Sequence, residues 1–104
     1  EDNMAELDYI SILNQLFVAF RGDQLFRLPA YTPLGQAGTA NMPIHTILLT
    51  ATWRGRELRV QKSARSKQEA KREAAKVVVE MILDADPGAV ILDVRSWLYR
   101  SKYQ

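Results

Sequence analysis

The chain has 104 residues, enough for one domain with one modest core, and 47% apolar with 25% charged residues is the balance of a folded chain rather than a disordered one. The absence of cysteine excludes disulfides and thiolate metal sites, and a single histidine, His45, argues against a metal centre or a histidine-based triad, so no cofactor is expected. The net charge is only +2 but unevenly placed: the first ten residues carry four acids and no base, whereas residues 54–76 hold nine basic side chains against three acidic ones, the footprint of a polyanion binder or of a solvated surface.

Taken in chain order, residues 4–21 have the pattern of a first helix. Leu7, Ile10, Leu13, Phe17 and Phe20 recur at spacings of three and four, and Ile12 and Leu16 widen the stripe. Asn3 with Glu6 offers a polar start, and Gly22 after Arg21 a stop. Residues 23–43 carry Pro29, Pro33, Gly35, Gly38 and Pro43 and have the character of a loop. A short strand over 30–34 is the most they are expected to form, held to an edge by Pro33.

Residues 44–53, IHTILLTATW, give the clearest strand signal. Ile47, Leu49, Ala51 and Trp53 alternate with Thr46, Leu48, Thr50 and Thr52. A hairpin turn at Arg54-Gly55-Arg56-Glu57 returns the chain as a strand over 58–62. A second helix is predicted over 67–83, burying Ala70, Ala74, Val77, Val78 and Met81. Asp86-Pro87-Gly88 breaks the pattern, and Val90, Ile91, Val94, Trp97 and Leu98 return to helical spacing over 89–100. The expected architecture is a two-layer α+β domain over 4–83, a three-stranded antiparallel sheet with two helices on one face, followed by a C-terminal extension over 84–104 that adds a helix. No apolar run approaches the roughly 20 residues of a membrane span, so no membrane is expected and the compartment is expected to be intracellular, cytoplasmic or nuclear.

The start of the second helix poses an electrostatic problem. In SKQEAKREAAK (66–76), Ser66 and Glu69 have capping-box spacing, which places the positive end of the helix dipole there. Yet Lys67 and Lys71 occupy that end, with Arg65 just upstream and Arg72 beside them. One reading is a solvated face balanced by Glu69–Arg72 and Glu73–Lys76 pairs. The other is that an anionic partner resolves the conflict, because the same dipole and free N–H groups that disfavour a lysine attract a phosphate.

ARSKQEAKREAAK resembles the C-terminal signature of the double-stranded RNA-binding domain family, S-K-K-x-A-K-x-x-A-A, with Gln68 in place of the second lysine. LNQL (13–16), LPAY (28–31) and MPIH (42–45) resemble, in the family's order, its first-helix L-N-E element, its P-x-Y strand entry and its G-P-x-H loop, with Met42 in place of the loop glycine. The resemblance covers about residues 8–83 and implies an α-β-β-β-α fold that binds duplex RNA by shape, across two minor grooves and the phosphates between them. By position it implies phosphate contacts from Lys67, Gln68 and Lys71 with Arg65 and Arg72 as additions, a minor-groove contact from Pro43 and His45, and a 2′-hydroxyl or base-edge contact from Gln15.

No nucleophile with a histidine partner, no paired carboxylates in a metal layout and no phosphate-cradling glycine loop is visible, so the chain is not expected to be an enzyme, though the family's modules also serve larger RNA-processing enzymes. The competing expectation is a protein-interaction or homodimerisation module. Its partner surface would be the C-terminal helix, through Val94, Trp97 and Leu98.

Overall fold

Asp8 caps the first helix. Its carboxylate accepts from the Ser11 backbone N–H at 3.1 Å and from the Ser11 hydroxyl at 2.7 Å, and its carbonyl accepts the first helical bond from the Ile12 N–H at 3.0 Å. Helix α1 then runs Tyr9–Val18, inside the longer span expected from the sequence. The computed structural model describes residues 8–18 and 20–86, so the polar start expected at Asn3 and Glu6 lies outside the described residues. Of the expected stripe, Leu13 and Phe17 are fully buried beside Ile12 and Leu16, whereas Ile10 and Phe20 are partly buried.

The 23–43 segment is where the structure departs most from the sequence expectation. It holds β1 (Arg27–Gly38), a 12-residue strand rather than a loop with a five-residue strand inside it. β1 pairs antiparallel with β2 (Pro43–Trp53), which pairs antiparallel with β3 (Arg56–Ala64), in the order β1-β2-β3. The physical reason the full length of β1 escaped notice is its position. As an edge strand it is exposed at nearly every residue, with only Pro29 and Tyr31 half-buried, so it has no apolar alternation. Register shifts between Arg27 and Ala30 and between Pro33 and Gly35 absorb residues that a regular ladder would not hold.

β2 and β3 follow the expected alternation. Ile47, Leu49, Ala51 and Trp53 of β2, with Leu58 and Val60 of β3, are buried on the face that meets the helices. The turn between them has two residues, Arg54 (φ 53°) and Gly55 (φ 82°), the left-handed pair of a type I′ hairpin.

Helix α2 (Lys67–Ala85) begins where the capping signal placed it: the Ser66 hydroxyl accepts from the Glu69 backbone N–H at 3.1 Å. Its buried stripe is Ala70, Ala74, Ala75, Val78, Val79 and Ile82, so the helix is rotated relative to the expected stripe and Val77 and Met81 flank the core instead of forming it. α2 lies across β2 and β3 and α1 packs against α2 and β1, which completes the expected two-layer α+β, α-β-β-β-α architecture. Trp53 anchors one end of the core, meeting the rings of Phe17 (5.1 Å between centroids), Phe20 (5.3 Å) and Phe26 (5.0 Å) edge to face. Among the described residues no helix is long and apolar enough to cross a membrane. The helix expected over 89–100, with Val94, Trp97 and Leu98, lies outside the described residues.

Candidate nucleic-acid interface

The antiparallel register brings two of the three expected contact regions to one end of the sheet. His45, near the start of β2, is the Cα partner of Ala64 at the end of β3, and the chain passes from Ala64 through Arg65 and Ser66 directly into α2. His45 has the parity of Ile47 and Leu49 and so lies on the helix side of the sheet, partly buried, with its Nδ1 atom buried and without a hydrogen-bond partner among the described residues. Pro43 faces Gly38 across the mouth of the four-residue loop 39–42.

That loop does not strain Met42. The left-handed conformation falls on Gly38 (φ 83°), where a Cβ would collide with the Met42 carbonyl oxygen. Met42 itself closes the loop, donating its N–H to the Thr39 carbonyl and hydroxyl oxygens, both at 3.1 Å. Met42 therefore does not need glycine's freedom here.

At the head of α2, Lys67 and Lys71 stand four residues apart and continue the spacing of Ala74 and Val78 towards the helix start. The face that packs on the sheet farther along the helix therefore carries cations where it reaches the end of the sheet. Arg65, Lys67 and Gln68 are exposed, and Lys71 and Arg72 partly so. The Glu69–Arg72 and Glu73–Lys76 pairs that would balance this face do not form. Among the described residues the ion pairs are Arg54–Asp86 and Arg59–Glu57, neither of them on this turn. Lys71 instead holds its ammonium over the Tyr31 ring, 5.8 Å from the centroid.

Gln15 is not brought to the same place. It is exposed on α1, two residues before Phe17, whose ring meets Trp53 at the opposite end of β2 from His45. Asp8, the cap of α1, feels the charge of Arg72 in the basic turn. Its carboxyl is held below the usual aspartate value mainly by the two Ser11 hydrogen bonds, with a smaller contribution from the Arg72 charge. Asp8 in turn acts on Tyr31: burial, and then the Asp8 charge, push the phenol up to about 12.

Sequence reasoning missed the contacts of three residues in this architecture: Asp8, Tyr31 and Asp86. The spacing of Asp8 and Ser11 was a usable local signal for the first. Tyr31 under Lys71 and Asp86 against the hairpin join positions about 40 and 32 residues apart, so no local pattern announces them. No protein-family model matches the chain, and no curated protein matches it.

Proposed function

We propose that this chain is a non-catalytic module that binds double-stranded RNA by shape, through phosphates and 2′-hydroxyls, with little sequence preference. One observation carries the reading. The cations at the start of α2 sit at the helix end that repels them, and among the described residues no carboxylate pairs with them. An anion at that position would meet the free N–H groups of the first turn, the dipole and the lysines together. Lys67, Gln68 and Lys71, with Arg65 and Arg72, would address phosphates across the major groove. His45 and Pro43 at the same end of the sheet would reach an adjacent minor groove, and Gln15 would form a separate contact along α1.

A second reading is a protein-interaction or dimerisation module. It is favoured by Leu34 (49% exposed), Met42 (55%) and Ile44 (44%), which leave apolar surface around the β1–β2 turn.

Fluorescence anisotropy separates the two. The probe is a labelled RNA duplex of about 20 bp, long enough for the roughly 16 bp that such domains span. Matched DNA duplex and single-stranded RNA run beside it at several salt concentrations. Preference for the RNA duplex that weakens as salt rises supports RNA binding. Lys67→Ala combined with Lys71→Ala is expected to weaken it at least tenfold. Equal weak binding to all three probes, or an unchanged affinity in the double variant, overturns the RNA reading or its contact surface respectively.

A further inference from the structure

Tyr31 belongs to the sheet, yet its ring lies beneath a residue of the basic turn. In register with Leu49, it projects from the edge strand β1 to the helix side and is half-buried there. Among the described residues its buried hydroxyl has no hydrogen-bond partner, so no hydrogen bond there accounts for a tyrosine at this position. The ring does make a directed contact: it faces the Lys71 ammonium at 5.8 Å. A lysine carries more rotamer freedom than most side chains, and Lys71 has no carboxylate partner among the described residues to restrict it. An aromatic face restricts it without neutralising it, because the ring quadrupole attracts the ammonium while its charge remains available to an outer anion.

We infer that Tyr31 is a positioning residue for Lys71, its ring acting as a platform that holds the ammonium over the edge strand in the pose that meets a backbone phosphate. The inference deepens the proposed function and rests on it for the identity of the anion, not for the contact itself. Lys76 provides an internal comparison. It stacks in the same way over Tyr9, at 5.9 Å, but stands five residues on, about 140° around the helix from Lys71. Tyr9 and Lys76 therefore repeat the chemistry on a side of α2 that does not point to the same partner.

The test is a double-mutant cycle on duplex-RNA affinity, with an NMR measurement on the free protein. Tyr31→Phe keeps the ring and is expected to bind as the native chain does, whereas Tyr31→Leu is expected to weaken binding about two- to fivefold. In a Lys71→Ala background, Tyr31→Leu is expected to have no further effect, and Tyr9→Leu to have none in either background. In the free native protein the Lys71 ε-methylene protons are expected upfield of their ordinary position through the ring current, in Tyr31→Phe as well but not in Tyr31→Leu. An equal loss from Tyr31→Leu with and without Lys71 overturns the inference, since the tyrosine would then act through the fold alone. So does an unshifted Lys71 ε-methylene in the native protein, a reading that stands even if Tyr31→Leu fails to fold. A shifted ε-methylene in a protein that binds no duplex leaves the platform in place and removes the RNA reading instead.

Discussion

Lys67 is a poor choice for a free helix. A cation in the first turn costs about 0.3–1 kcal/mol against the dipole, and Glu69 offsets only part of it. Removing Lys67 alone should therefore leave the thermal midpoint unchanged or slightly raised while duplex-RNA affinity falls, whereas Lys71→Ala also gives up the Tyr31 ring contact. Lower stability in the Lys67 variant would mean that this lysine is a packing residue. Asp8 makes the opposite kind of contribution. Its native carboxyl titrates below the ordinary value of 3.8, so the stability it adds is fully present above that value and is lost as pH falls through the lowered native one. Asp8→Ala is expected to cost about 0.5–1 kcal/mol at neutral pH, kept small by solvent exposure. In urea titrations across pH, the gap between variant and native chain should close in strong acid; a gap that persists there would assign the loss to something other than the cap. Ser66 and Glu69 were legible from spacing alone because a cap is a local device, and the lysines because they break the local rule. Tyr31 was not, since what defines its surroundings arrives from a helix 40 residues later.

Elements divide along the same line. β2 was legible because one face is buried and the other is not, which writes a period of two into the sequence. α2 was legible in extent, yet its rotation was not: with apolar residues at 77, 78, 79, 81 and 82, several stripes were available and packing against the sheet selected one. The full extent of β1 was hidden by its prolines and glycines, and these have a use in place. Pro29 and Pro33 lack donors, so this long edge offers an incoming strand fewer N–H groups to pair with. Gly38 is the one glycine of that strand whose substitution meets backbone rather than open space. Gly38→Ala is expected to destabilise the domain by about 1–3 kcal/mol, read as a lower urea midpoint at unchanged slope. Gly35→Ala meets only the cost of its own backbone angle, since nothing crowds that position. If the two variants were equally stable, the Met42 carbonyl would have to yield more readily than its hydrogen-bonded loop suggests.

Across the whole molecule, β2 joins two unlike poles. One holds His45, Arg65, Lys67 and Lys71; the other holds the Trp53 aromatic cluster and the Arg54–Gly55 turn. The second pole is clasped from two directions. The Leu25 carbonyl accepts from the Gly55 N–H at 2.7 Å, and the Asp86 carboxylate accepts from Arg54 Nε and, at 3.3 Å, from Trp53 Nε1. Arg54 is the one non-glycine among the described residues with a positive φ, and it is the residue Asp86 holds. Asp86→Ala leaves the indole N–H of a buried tryptophan without this acceptor and is expected to cost about 1–3 kcal/mol in chemical denaturation, with duplex affinity unchanged. A fall in affinity at native-like stability would show that the two poles communicate.

The Asp86 clasp also fixes a direction of travel. Nineteen residues of helix carry the chain from the basic pole to the hairpin pole, roughly 28 Å along the axis, and the clasp pins its far end there. A phosphate seated on the lysines and the clasped hairpin would therefore stand at opposite ends of a stiff strut, about a helix length apart.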